Sequence, residues 1–248
     1  MERDCLTKAI ARTQESGEPL IEFISRAKRT GSRVGVFASS FNPVTNAHVE
    51  LMQRAARGFN LDETLALAGV ANADKNTYEC PLEDRLAMLL SAFEHDPSLS
   101  IGVCSHAYFV DVLGALGHLY PAGTDFHFIL GFDTFERVLD RNDLYTRRYH
   151  RRFGDRIEAL RFLIEHARLV VAGRGASRRL EIAALLEHEP SEIAANVLYL
   201  DLPSEMAERS ATEVRDRAMR GQSIEGLVPP RVESYIVERG IYRDREIS

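Results

Sequence analysis

Residues 36–54 read VFASSFNPVTNAHVELMQR, and the change of character inside this stretch decides the fold. An apolar run stops at a cluster of Ser, Asn and Pro, and a helical pattern then begins with His48 in its first turn. Pro43 lacks an N–H and restricts the residue before it, so it fixes the chain as it leaves a strand. Asn46 is a suitable N-cap for the helix that follows. A helix N-terminus presents unsatisfied N–H groups and attracts anions, and a histidine there adds ring donors. Strand, turn and helix in this order form the first unit of an α/β domain with a seat for phosphate. A capped helix carrying a surface histidine is the competing explanation of the same residues.

Outward from this unit, short apolar runs alternate with amphipathic stretches. Strands are expected at 33–39, 64–70, 99–105, 126–131, 168–174 and 196–202, and helices near 47–58, 82–94, 107–119, 155–166 and 177–188. This alternation predicts a doubly wound α/β fold, a parallel sheet covered on both faces. Ligands in such sheets bind at the carboxyl ends of the strands, the edge shared by the opening stretch and by GFDTF, which starts at Gly131. Residues 4–29 read as two short helices broken at Gly17-Glu18-Pro19, the second ending at Gly31. The expected division is an N-terminal helical leader, 1–30, and a main domain, 31–248, that ends in a helical tail over 210–240. Residues 140–156, rich in Arg and Tyr, read as an irregular excursion or lid.

The composition narrows the function classes. With 45% hydrophobic and 27% charged residues the chain has the balance of a globular protein. A net charge of -6 argues against broad electrostatic binding to nucleic acid or an anionic membrane. No apolar run approaches the ~18 residues of a membrane span, and the first residues lack a secretory pattern. Cys5, Cys80 and Cys104 form neither a metal pair nor a disulfide framework. A cytoplasmic, soluble protein in a reducing compartment is expected. His106, His118, His127, His150, His166 and His188 lack metal-ligand spacing and read as structural or exposed, so no protein metal site is expected.

Further residues fall on the ligand edge. Ser210 with Glu213 has the spacing of a capping box. Gly131 and Asp133 follow the fourth expected strand, where Asp133 either caps a helix starting at Thr134 or accepts from a ligand. Lys75 follows the second strand, Arg85 lies on the next helix, and Arg174 ends the fifth strand. All three are candidate phosphate or nucleotide contacts.

FASSFNPVTNAHVELMQRA resembles the signature of the (H/T)xGH nucleotidyltransferase superfamily, especially its nicotinamide/nicotinate mononucleotide adenylyltransferase branch. ERSATEVRDRAMRGQSIEGLVPPRVESYI is similar to the same family's triphosphate-binding motif and C-terminal helix, and FHFILGFDTF to its GxD segment. Ala38, Ser39 and Ala47 stand where glycines are common in that family. The resemblance implies a Rossmann-like nucleotidyltransferase fold and adenylyl transfer from ATP to a pyridine mononucleotide, with Mg²⁺ riding on the phosphates. It implies that Ser40, Phe41 and Asn42 form the turn that approaches the substrates, and that His48 and Thr45 serve the α- and β-phosphates. Ser210, Thr212 and Arg215 would hold the leaving pyrophosphate, Gly131, Asp133 and Arg174 would border the nucleotide, and Lys75 and Arg85 would meet the acceptor. The implied partners are ATP and a phosphorylated small molecule, with neither nucleic acid nor membrane; a homo-oligomer is compatible with it. The alternatives are a phosphopantetheine- or CTP-type member of the superfamily and a non-catalytic nucleotide-binding protein.

Overall fold

The computed structural model describes residues 3–28, 31–70, 80–106, 108–148, 152–202 and 210–243. The chain begins with α1 (Arg3–Glu15), β1 (Ile21–Ser25), β2 (Arg33–Ser39), α2 (Asn46–Gly58), β3 (Glu63–Gly69), α3 (Leu82–Ala92) and β4 (Leu99–Cys104). It continues through α4 (Phe109–Gly117), β5 (Asp125–Gly131), α5 (Phe132–Leu139), α6 (Leu144–Arg148), α7 (Arg156–His166) and β6 (Ala167–Arg174). Last come α8 (Gly175–Leu186), α9 (Ser191–Ala195), β7 (Val197–Leu202), α10 (Ala211–Met219) and α11 (Pro230–Arg239). Each strand expected from the sequence is present with ends within one residue of those expected.

These strands form one seven-stranded sheet in the order β1-β4-β3-β2-β5-β6-β7, parallel except for β1. Leu65, Ala66, Leu67 and Ala68 of β3 are all fully buried, because a central parallel strand is covered on both faces and reads as an unbroken apolar run. One face packs against α1, α2, α3, α10 and α11, the other against α4, α5, α7, α8 and α9. Each large apolar side chain so buried contributes roughly 1.5–3 kcal/mol before conformational entropy is subtracted.

The leader departs from expectation. Its first helix is α1, but the second expected helix is the strand β1, paired antiparallel with β4 from Ile21↔Cys104 to Ser25↔Ile101. Ile-Glu-Phe-Ile-Ser is rich in β-branched and aromatic residues that suit a pleated surface, and β4 would otherwise present an unpaired row of N–H and C=O groups. Gly102 permits the pairing, since a Cβ there would lie 3.2 Å from the Glu22 carbonyl oxygen.

Strand order also locates the crevice. From β2 the chain winds outward through β3 and β4, then returns to place β5, β6 and β7 on the other side, so the order reverses between β2 and β5. The β2–β3 ladder runs to Ser39↔Ala68 and the β5–β6 ladder to Gly131↔Ala172, whereas the β2–β5 ladder ends at Val36↔Phe128. Beyond those residues the two halves part, opening the sheet at its carboxyl edge, where doubly wound folds bind ligands.

Candidate active site

The turn leaving β2 forms one wall. Phe41 is fully buried with φ 45°, a left-handed conformation unfavourable for an aromatic residue. Its ring packs edge-on against Phe37 at 5.6 Å and His48 at 5.4 Å, and this burial offsets the backbone strain. Arg85 of α3 lies beneath the turn, 1% exposed. Its Nη1 donates to the Ser40 carbonyl at 2.6 Å and its Nη2 to the Gly69 carbonyl at 3.4 Å, tying the ends of β2 and β3 together. Put forward from the sequence as an acceptor contact, Arg85 is turned to these two carbonyls, and a buried guanidinium is stable only with such partners.

Helix α2 starts one residue earlier than the sequence suggests: Thr45, not Asn46, is the N-cap. Thr45 has the extended backbone that a cap needs, and its Oγ1 accepts from the His48 N–H at 3.4 Å. In return His48 Nδ1 accepts from the Thr45 N–H at 3.0 Å, so the histidine completes a reciprocal capping box. Thr45 is 1% exposed, and its hydroxyl is held inside this box. Asn46 is engaged by the C-terminal segment instead, donating from its N–H to the Leu227 carbonyl and from Nδ2 to the Gly226 carbonyl, each at 2.9 Å.

The box fixes the state of His48. With Nδ1 accepting, the neutral ring carries its proton on Nε2, the tautomer assigned from this hydrogen-bond pattern. Desolvation between Phe37 and Phe41 lowers its pKa to about 4, so the ring is neutral at physiological pH. Nε2–H has no partner among the described residues, which leaves one oriented donor at the helix tip.

The second tip is α10. Ser210 caps it, Oγ accepting from the Glu213 N–H at 3.1 Å. The Glu213 carboxylate pairs with Arg217 at 2.7 Å. Arg215 Nη2 donates to Thr212 Oγ1 at 3.1 Å, and its Nη1 reaches the Asn42 carbonyl at 2.8 Å. This last bond joins residues 173 positions apart and brings the α10 tip against the turn that leads to α2. The Arg215 guanidinium therefore links the first turns of α10 to the segment that enters α2.

At β5, α5 begins at Phe132 with Gly131 as N-cap, so Asp133 lies inside the first turn and does not cap. Its carboxylate is exposed, without a hydrogen-bond partner among the described residues. A Cβ on Gly131 would meet nothing within 4 Å, so open space adjoins this strand end. Arg174 ends β6, where the described structure does not extend to its side chain, and Lys75 lies outside the described residues.

Behind the turn, between the strand ends and α4, α5 and α7, is a cavity of about 220 Å³. Ala38, Ser39 and Ser40 line it on the side of the turn, Val110, Val138, Leu160 and Leu163 form part of its apolar lining, and His106, Tyr108, Thr134, Arg137, Asp140, Tyr145 and Arg156 are among its polar groups. Tyr108 and Tyr145 stack at 6.0 Å, their planes 21° apart. His106, read from sequence as structural or exposed, is one of these lining residues and lies 2.8 Å from Ser105 Oγ through Nδ1. Nothing in its local sequence signals this, because β4 and α4 bring it there only after the sheet forms. The 140–156 excursion is pinned rather than loose where it is described. Buried Asp140 accepts from the Tyr145 N–H, the Thr146 N–H and the Thr146 hydroxyl, and Arg141 and Arg156 pair with Glu189 at 3.1 and 2.6 Å.

The strand order reverses at an open carboxyl edge, and the α2 cap, the Arg215 link from α10 and an adjoining, largely apolar cavity lie at that edge of an α/β sheet. The family model described as cytidylyltransferase-like matches residues 36–217, and the chain belongs to that family. It is 29% identical over 216 residues to a Bordetella avium protein named "Probable nicotinate-nucleotide adenylyltransferase", covering 85% of this chain and 98% of that one. A Geobacter sulfurreducens protein of the same name is 29% identical over 231 residues, at 85% and 98% coverage. Among solved structures, Plasmodium falciparum nicotinic acid mononucleotide adenylyltransferase complexed with NaAD superposes with a TM-score of 0.59. It shares 16% identity and covers 86% of this chain and 98% of its own, a likeness of fold. No helix among the described residues is long and apolar enough to cross a membrane.

Proposed function

We propose that this protein transfers the adenylyl group of ATP to nicotinate mononucleotide, forming the deamido dinucleotide and pyrophosphate. The observation that carries this reading is the Arg215–Asn42 hydrogen bond, which supports taking two helix N-termini distant in sequence as parts of one phosphate seat. The relatives' names supply the acceptor, and the cavity beside Ser39 and Ser40 has the size and mixed lining for a pyridine ring.

In the proposed step a 5′-phosphate oxygen of the acceptor attacks the α-phosphorus of ATP. The bond from that phosphorus to the bridging oxygen breaks, and pyrophosphate leaves with the electron pair. The nucleophile is already anionic at neutral pH, so no general base is required. Rate enhancement then comes from alignment and from charge stabilisation. His48 donates from Nε2–H to the α-phosphate without changing protonation state. The α10 tip and Arg215 receive the leaving pyrophosphate, while Asp133 accepts from ribose hydroxyls. Arg85 acts from below by fixing the Ser40 carbonyl and hence the turn.

Among the described residues no group of His, Cys, Asp and Glu forms a metal cage. Mg²⁺ therefore fits this site as a counter-ion carried by the phosphates and their waters.

The test is incubation with ATP or CTP and each of nicotinate mononucleotide, nicotinamide mononucleotide and phosphopantetheine, following pyrophosphate and product. Dinucleotide from ATP and nicotinate mononucleotide supports the proposal. Turnover only with CTP or phosphopantetheine replaces it with another activity of the superfamily, and nucleotide binding without product from any acceptor makes the protein a binding module.

A further inference from the structure

The C-terminal segment does more than cover α3. Helix α11 ends at Gly240 with φ 61°, and the chain turns back so that Tyr242, itself at φ 67°, points its phenol at the first turn. The phenolic oxygen lies 2.7 Å from Asn42 Oδ1. An aromatic residue in left-handed backbone is a conformation the fold must hold in place, and Tyr242 is held by packing against the core cluster that contains Phe37, Phe41 and Val44.

We infer that Tyr242 is a positioning residue: its hydroxyl holds Asn42 Oδ1, so that the amide presents its NH₂ to the phosphate oxygens of the nucleotide. This rests on the nucleotide-binding reading above.

The direction of the bond follows from the neighbours of the phenol. Burial raises the pKa of Tyr242, and burial likewise pushes the Cys80 thiol beside it to about 11, so both keep their protons at neutral pH. Cys80 donates to the Pro81 carbonyl, leaving only its sulfur, a weak acceptor, to compete for the phenolic hydrogen. The amide oxygen is the better acceptor and takes it. Were the amide reversed, its NH₂ would face the phenol, whose own hydrogen would be left with sulfur.

The remainder of Asn42 is equally constrained. The residue is 7% exposed, its carbonyl is held by Arg215, and Oδ1 is held by Tyr242. Nδ2 has no partner among the described residues and is not sealed from solvent as Arg85 Nε is, so it stands open to an incoming acceptor. Arg85 and Arg215 both lie close enough to favour negative charge here. A free amide donor in a positive surrounding matches the oxygens of a polyphosphate.

The experiment is a double-mutant cycle on ATP binding, measured calorimetrically with Tyr242→Phe, Asn42→Ala and the pair, alongside thermal unfolding. Tyr242→Phe is expected to weaken ATP binding roughly 3- to 10-fold, the value of one hydrogen bond, and to add nothing once Asn42 is alanine. Asn42→Asp keeps the acceptor for Tyr242 but replaces the donor with a negative charge, so it is expected to stay folded and lose at least ~10-fold in ATP affinity. Additive effects of the two substitutions, or an Asn42→Asp protein that binds ATP as the parent does, overturn the inference. Because the readout is ATP binding, it stands apart from the acceptor screen: failure to make any dinucleotide sinks the adenylyl-transfer reading and leaves the cycle intact. A parent protein that binds no nucleotide sinks both.

Discussion

His48 has a structural task in the capping box and, under the proposed function, a chemical one in the same ring. Its Nδ1 closes the α2 capping box, and that bond determines that the proton sits on Nε2. In the folded chain the ring protonates near pH 4, and in the unfolded chain near 6.5. Between those values the unfolded state holds the extra proton, so this residue makes stability fall as pH drops from 6.5 towards 4. His48→Asn is expected to flatten that part of the curve, measured by urea unfolding at pH 7 and pH 5. It follows too that turnover shows no inflection near 6.5 from this ring. His48→Ala is expected to lose ~100- to 1000-fold in kcat with the fold retained, checked by pyrophosphate release and circular dichroism; near-normal turnover rejects His48 as the main transition-state donor. Arg85→Met, which strips two strand-end carbonyls of a charged donor, is expected to cost about 2–4 kcal/mol in a denaturant titration. The Thr45-x-x-His48 spacing was readable in the sequence. The task of Arg85 was not, because an arginine on a helix looks the same in sequence whether its face meets water or carbonyl oxygens.

At the scale of elements, caps and strand runs carried most of the legible information. Ser210 and Glu213 announced α10, and the apolar runs announced the strands that wind outward from β2. The strand β1 escaped because five residues without clean alternation do not separate strand from helix; its state is set by the open edge of β4. Likewise α5 starts at Phe132 because Gly131 leaves β5 extended and caps without a side chain. The 140–156 excursion shows the same dependence on distant partners, since Glu189, with a fully buried side chain, anchors Arg141 and Arg156. Glu189→Ala removes the buried partner of two arginines that are themselves 35% and 20% exposed and so reachable by water, and is expected to destabilise the fold by about 1–3 kcal/mol. Under the proposed function it also raises the KM for the acceptor more than that for ATP, because Arg156 lines the cavity and lies away from the helix tips. An unchanged denaturation midpoint would show that the two arginines find other partners.

Over the whole molecule, what the sequence withheld was order and adjacency. Alternation predicts parallel strands, but neither the reversal between β2 and β5 nor the docking of residues 226–242 against residues 42–46 is written locally; both come from long-range packing. Joining the two tips gives a thermodynamic signature. A nucleotide spanning them binds only the folded chain, so ATP at a hundred times its Kd is expected to add about 2.7 kcal/mol to unfolding. Arg215→Ala should shrink that increment at the same ATP concentration, since it cuts the Asn42 link and removes a phosphate donor together. Equal increments in both proteins would show that the link does not serve nucleotide binding.

Helices α2 and α10 belong to one layer of the sandwich, and the cavity walled by α4, α5 and α7 to the other, with the divergence of β2 and β5 between them. Under the proposed function a lineage can therefore retool one layer to accept a new second reactant while the opposite layer keeps its hold on the triphosphate. The splayed seam works as a joint between two separately heritable halves, which gives a physical reason for one architecture to serve diverse partners with a shared chemistry.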